Sequence, residues 1–420
     1  MKISLRIAQE ERVLMVQKCN ICGKIASYFD INLGEWMCEE CYKENYNKVN
    51  LDDYRNKVNC EECDEEIQNM LNTMENIIDD IMRHKMIKLD KRFNSTKFSN
   101  DIEEILKSMP KIDVESIAEG LNFGKTYRYN KDKLIYNLIN SYKEKVLEKI
   151  YLFDDGALKA FKYFSKNNGV VTLTNSDRKY IKFVEYFMAI GILYPAKNEE
   201  KKAVLLMPSI VRDLLPILND FDCRLKIKNN SRIITLVSGM ANVYGVLTIN
   251  DIVNKLNKLG FDNMEFKEKY EIINSASNYS ASYSIKDGYV FNCNIKYYKK
   301  LYEKINIEGG SIEYREYSEN ELLTFGNDNW LRNSKYGKEF ITSFTNCFEL
   351  DNEEIDDFLN QLYYIIQEDS LDNVLNEVRN MIVEEDGKEV GVNIIKEYIC
   401  NLPIWDKKGK SIKEIEDKTI

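Results

Sequence analysis

Ser176-Asp-Arg-Lys-Tyr-Ile-Lys-Phe-Val-Glu-Tyr-Phe-Met-Ala-Ile-Gly191 runs straight into Ile192-Leu-Tyr-Pro-Ala196, Lys197-Asn-Glu-Glu-Lys-Lys202 and Ala203-Val-Leu-Leu-Met-Pro208. The first segment puts Tyr180, Phe183, Val184 and Phe187 on one helical face. The rest is two apolar strands around a charged turn. Upstream, Asp154 is placed to cap a helix carrying Leu158, Phe161, Tyr163 and Phe164. Asn167-Asn-Gly169 ends that helix, and Val170-Val-Thr-Leu-Thr174 is strand-like. Helices followed by a two-stranded wing describe a winged helix. In such a unit one helix can enter a major groove while the wing meets phosphate. Arg178, Lys179 and Lys182 are then the helix contacts, and Lys197, Lys201 and Lys202 the wing contacts. Glu199 and Glu200 dilute the wing's charge, and a protein-contact role fits the same pattern.

The order recurs downstream. Arg232 to Tyr244 reads as a helix, and Gly245-Val-Leu-Thr248 leads into a second one from Asn250 to Leu259, ended by Gly260. Phe266 to Ser275 is a third. Tyr283 to Cys293 is a hairpin whose Asp287-Gly288 pair is the strongest short-range turn signal in the chain. The expected fold class is therefore mainly α with small β hairpins. The units are a zinc-ribbon module (1–63), a helical linker and hairpin (64–150), two winged-helix-like units (151–222 and 223–310) and an acidic helical region (311–420).

The chain has 420 residues, 59 Lys+Arg against 69 Asp+Glu, and one His. A net charge of −10 argues against coating nucleic acid or membrane by bulk charge. No apolar run approaches the roughly 18–20 residues of a membrane span, and Met1 to Ala8 lacks the pattern of a signal peptide. A reducing cytoplasm is the expected compartment, where clustered cysteines mean metal more often than disulfide.

Six of the ten cysteines form three Cys-x-x-Cys pairs: Cys19/Cys22, Cys38/Cys41 and Cys60/Cys63. Two residues between thiolates let both reach one ion, and two such turns complete a tetrahedral zinc site at about 2.3 Å per Zn–S bond. Ile25 to Trp36 reads as a short hairpin over the metal. Cys19, Cys22, Cys38 and Cys41 are the preferred ligands of a structural Zn2+. Cys60/Cys63 are the alternative pair, disfavoured because Glu61, Glu62, Asp64, Glu65 and Glu66 raise thiol pKa values. Four thiolates leave no place for catalytic water. Residues 19–65 hold five Lys/Arg and eleven Asp/Glu, a net of −6, which leans the module toward structure or protein contact.

Asp64 to Arg92 reads as a helix with Ile67, Leu71, Met74, Ile78 and Ile81 on one face, and His84 as a surface residue near its end. Asp101 to Ser108 is a short helix. Lys111 to Asn140 reads as a helix–loop–helix, with Ile112, Val114, Ile117, Ala118 and Leu121 forming the first apolar face. Gly124-Lys-Thr-Tyr-Arg-Tyr129 makes the connection and Lys131-Asp-Lys-Leu-Ile135 opens the second helix. Ile117-Ala118, the glycine-bearing turn and Lys131 to Ile135 resemble the N-terminal helical module of the Rho transcription terminator and related SAP-type modules. That resemblance covers about thirty residues and implies a nucleic-acid or accessory contact, through Lys125, Arg128, Lys131 and Lys133. Residues 81–150 carry a net of +5, in agreement. A solvated face of an ordinary hairpin is the competing reading.

Asp351 to Asp386 holds twelve acidic residues and one Arg around an apolar stripe of Phe358, Leu362, Ile365 and Ile366. It is expected to be folded and to repel nucleic acid; docking a basic partner is its alternative to plain solvation. Near the end stands Asn401-Leu-Pro-Ile-Trp405-Asp-Lys-Lys-Gly409-Lys-Ser411. From about residue 100 the chain resembles a family of uncharacterised proteins of low-GC Gram-positive bacteria and their mobile elements. They combine a Rho-N-like hairpin, winged-helix-like units, an acidic helical region and an Asn-x-Pro-x-Trp-x-x-x-Gly-x-Ser tail. Many of them finish with a SEC-C metal-binding motif. That motif is absent from this sequence, so any zinc function is expected to fall on the N-terminal cluster.

No catalytic motif stands out. Gly409-Lys410-Ser411 lacks the glycine that a phosphate-binding loop needs five positions earlier, where Ile404 stands. The expected role is a non-catalytic, zinc-containing DNA-binding or transcription-regulatory protein. The alternative is an adaptor whose ribbon, winged helices and acidic helices dock proteins of the transcription or translation machinery.

Overall fold

Helix starts follow local chemistry through most of the chain. In the computed structural model, the described residues are 28–30, 35–37 and 90–417, apart from 125, 173, 175–176, 308–311, 349–351 and 382–384. They form a mainly helical protein with small antiparallel sheets. Strands β1 (Tyr28–Asp30) and β2 (Glu35–Met37) pair antiparallel, Tyr28 opposite Met37. A helix ending at residue 95 precedes α1 (Ile102–Ser108), whose Asp101 side chain accepts from the Glu103 amide. Next come α2 (Lys111–Gly120) and α3 (Lys131–Ile150), the latter capped by Asn130. Val114, Ile117 and Ala118 are buried as expected, but Ile112 is 73% exposed. It lies in the first turn of α2, away from the packed face.

In the next segment, α4 (Asp155–Phe164), capped by Asp154, leads to β3 (Val170–Val171), α5 (Arg178–Ala189), β4 (Tyr194–Lys197) and β5 (Ala203–Leu206). The sheet order is β3-β5-β4. Then follow α6 (Phe221–Tyr244), β6 (Val246–Thr248), α7 (Ile249–Leu256), α8 (Phe266–Ala276), β7 (Tyr283–Lys286) and β8 (Tyr289–Asn292). The order here is β6-β8-β7. In both sheets the last strand lies in the middle. Asp287 and Gly288 take φ of 52° and 81° in the two-residue turn, as a primed hairpin turn requires.

Helix α6 begins eleven residues before the expected start at Arg232. Asn229-Asn-Ser231 is a poor helix former taken alone. Tertiary bonds override it: buried Asn230 donates to the Tyr151 and Phe153 carbonyls at 2.8 and 3.0 Å. One hydrophobic core, from Ile102 to Leu322, runs through both segments, with α6 as its spine.

Helices α9 (Tyr298–Ile307), α10 (Glu319–Phe325), α11 (Lys335–Thr345), α12 (Asn352–Glu368), α13 (Leu371–Met381) and α14 (Glu385–Cys400) follow. Gly239 of α6 faces the Leu322 carbonyl and Gly326 faces the Thr235 carbonyl, so two glycines let α6 and α10 cross closely. A second core joins Trp330, Phe340, Phe358, Leu362, Ile366 and Trp405. Phe358, Leu362 and Ile366 point inward as the stripe predicts, with Ile365 partly buried beside them.

The tail locks this second core onto α6. The Trp405 indole N–H donates to the Asn242 carbonyl and to Tyr363 Oη, both at 2.9 Å. Its ring lies over Gly245, which has φ +73° and where a side chain would collide with it. The Tyr317 hydroxyl donates to the Gly409 carbonyl. Ser411 and Glu414 form a capping box. The tail pattern therefore has a structural role. No helix among the described residues is long and apolar enough to cross a membrane.

Candidate nucleic-acid interface

Helix α5 is positioned by its aromatic inner face. Phe183, Tyr186 and Phe187 are buried, and Tyr163 stacks on Tyr180 with centroids 4.4 Å apart. Tyr186 Oη meets Ser275 Oγ at 2.5 Å, tying α5 to α8. Just before the helix, bonds from the Thr174 hydroxyl and amide and from Tyr163 hold the Asp177 carboxyl below the usual carboxylate range. Burial first, then Asp177, pushes Tyr163 up to about 12.

The outward face carries Arg178, Lys179 and Lys182 together with Ile181 and Glu185, all exposed. None of the three cations has a carboxylate oxygen within 4.0 Å among the described residues; at longer range Lys182 favours the charged form of Asp154 and Lys179 that of Asp177. Lys179 Nζ and Lys182 Nζ instead lie over the Tyr180 and Phe183 rings at 5.1 and 5.5 Å.

The β4–β5 turn is less basic than its sequence. Lys202 pairs with Glu200 at 2.7 Å and Lys197 with Asp90 at 3.3 Å. Lys201, at φ +59°, is exposed and makes no ion pair among the described residues.

In the turn between α2 and α3, Arg128 is exposed and lies 5.6 Å from the Tyr127 ring centroid. Lys133 lies 5.7 Å from that of Tyr129. Lys131 Nζ donates to the Lys107 carbonyl at 2.5 Å, so it ties α3 to the C-terminal turn of α1. Lys125 lies outside the described residues. Tyr127 and Tyr136 were not singled out from sequence, yet they are 66% and 68% exposed. The Tyr-Arg-Tyr run was the available signal, but partial burial of Tyr129 and exposure of Tyr127 depend on packing.

Helix α8, the last helix before the β7–β8 hairpin, presents a different face. Phe266 and Tyr270 are exposed and stacked, with centroids 6.5 Å apart. Lys267 pairs with Glu271 at 3.9 Å, and Glu268 with Lys226 of α6 at 3.5 Å. Lys269 points inward and is 2% exposed. Its ammonium donates to Asn257 Oδ1, the Phe261 carbonyl and the Met264 carbonyl at 2.5, 2.8 and 2.7 Å.

Cys19, Cys22, Cys38, Cys41, Cys60 and Cys63 lie outside the described residues, among which no group of three or more His, Cys, Asp or Glu is placed to hold a metal. Comparisons with protein-family models, curated proteins and solved structures gave no match.

Proposed function

We propose that this chain is a non-catalytic, nucleic-acid-binding regulator that meets duplex DNA through the outward face of α5. The observation that carries this reading is the set of three exposed cations, Arg178, Lys179 and Lys182, on the helix directly before a hairpin. Element order supports it. Residues 221–292 run helix, strand, helix, helix, hairpin, with the last strand central, which is the order of a winged helix. Residues 155–206 follow the same plan with one helix fewer among the described residues.

Charge reversal tests the contact. Arg178→Glu with Lys182→Glu is expected to weaken binding to a 25-base-pair duplex by about tenfold or more at low salt, because two phosphate partners become repulsive. Affinity unchanged in a fluorescence-anisotropy titration would remove α5 from the interface. A second reading, a protein adaptor, is favoured by one specific observation: α8 offers stacked Phe266 and Tyr270 where a duplex reader would place cations. Under that reading wild type fails to bind duplex even at low salt.

The zinc module is part of the proposal. Two features support it: the spacing of Cys19, Cys22, Cys38 and Cys41, and the β1–β2 pair that falls between the two Cys-x-x-Cys turns. About one zinc per chain is expected. It should be lost in Cys19→Ser and Cys38→Ser and kept in Cys60→Ser, as measured by elemental analysis of the reduced protein. Loss in Cys60→Ser with retention in Cys19→Ser would transfer the site to the third pair.

A further inference from the structure

A groove of about 290 Å3 lies between α11 and α14. Its walls are aromatic and aliphatic, from Tyr336, Phe340, Ile394 and Tyr398, and the two charged residues that line it are both carboxylates, Glu339 and Glu397. Phe340 and Tyr398 face each other with centroids 4.9 Å apart. Tyr398 is 2% exposed, and its hydroxyl is buried without a hydrogen-bond partner among the described residues. A buried hydroxyl left in that state costs free energy and is normally satisfied. Burial pushes its pKa above the ordinary tyrosine value, so it remains a neutral phenol able to donate or accept.

The carboxylates retain capacity. Among the described residues Glu339 has only a distant partner, Lys335 at 4.0 Å. Glu397 receives Lys413 Nζ and Asn401 Nδ2 on Oε1, at 2.9 and 3.1 Å. Helix α13, which packs on α14, belongs to the stretch from Asp351 to Asp386, with its twelve acidic residues and one Arg. The acidic stretch thus lies one helix away, and the carboxylates at the groove itself are Glu339 and Glu397, which favour a cation over an anion there. An arginine stem buries against apolar walls. Its planar guanidinium stacks on rings and donates to carboxylates in a fork that an ammonium cannot reproduce.

We propose that the α11–α14 groove is a docking site for an arginine side chain of a basic segment in a partner protein, with Tyr336, Phe340 and Tyr398 as its walls and Glu339 and Glu397 as its anions. The chain's own Lys413 already sits on Glu397, so the incoming cation competes with it.

The test is calorimetric titration of the full chain with N-acetyl hexa-arginine amide. Glu339→Gln with Glu397→Gln is expected to weaken binding by about tenfold. Asp372→Asn with Glu377→Gln removes the same charge from exposed positions on α13 and should cost about twofold or less. Tyr398→Phe keeps the ring and removes only a buried hydroxyl, so it is expected to change binding by about twofold or less. Lys413→Ala frees Glu397 and should tighten binding. Hexa-lysine amide should bind several-fold more weakly than hexa-arginine. Equal losses in the two double variants would reduce the effect to bulk charge and overturn the site. So would equal affinity for hexa-lysine, or no binding at millimolar peptide. Both double variants change surface carboxylates only, and circular dichroism confirms that they keep the fold.

Discussion

Trp405→Ala is expected to lower the unfolding free energy by about 3–5 kcal/mol, the usual range for removing a large buried aromatic. Trp405 is 5% exposed and joins two cores rather than one. The indole N–H donates to the Asn242 carbonyl of α6 and to Tyr363 Oη of α12, and the Tyr363 hydroxyl donates to that same carbonyl. The truncation opens a cavity and strips a donor from Asn242 at once. Trp405→Phe refills part of the volume without the N–H and should recover about half of the loss. Urea unfolding followed by far-ultraviolet circular dichroism measures both. A shift of less than about 1 kcal/mol for the alanine variant would mean that the tail does not hold the acidic helices onto α6.

Lys269→Met is expected to cost about 3–5 kcal/mol, from three acceptors each losing a charge-assisted bond inside the protein. Methionine preserves most of the apolar stem, so the loss isolates the ammonium. That group closes the loop after α7: it bonds Asn257 Oδ1 and the carbonyls of Phe261 and Met264, where the chain turns through Gly260 at φ +90°. A cation is favoured there because carbonyls at a helix end carry partial negative charge. The control is Lys267→Met, an exposed neighbour expected to change stability by about 0.5 kcal/mol or less. Equal effects of the two substitutions in thermal and urea unfolding would show that the buried ammonium carries no special weight.

Features that rest on neighbours in sequence were legible. Asp154 caps its helix, and the Asp287-Gly288 turn sets the β7–β8 register, because each depends on chemistry within a few residues. Features that rest on distant partners were not. Asn229-Asn-Ser231 stays helical only because Asn230 finds the Tyr151 and Phe153 carbonyls. Ile112 fits an apolar spacing but faces solvent.

The candidate site divides the same way. The positive charges of Lys131 and Lys197 are visible in the chain, but their partners, the Lys107 carbonyl and Asp90, are not; only Glu200, two residues from Lys202, could be read as a partner in advance. Those pairings move the basic surface from the β4–β5 turn to α5. Lys269 gave no sequence signal, since nothing in Phe266 to Ser275 distinguishes a buried lysine from the exposed ones around it. The Asn401 to Ser411 pattern was visible as a pattern, yet its use as a lock needed Gly245 and Asn242, some 160 residues away in the chain.

The salt dependence of duplex binding reports whether α5 meets phosphate. If α5 meets the phosphate backbone, the logarithm of the association constant falls linearly with the logarithm of salt concentration, by about 0.9 for each phosphate neutralised. Arg178→Ala with Lys179→Ala and Lys182→Ala should then flatten that slope by about 2–3 units. A wild-type slope near zero, or a triple variant with the wild-type slope, would contradict the account.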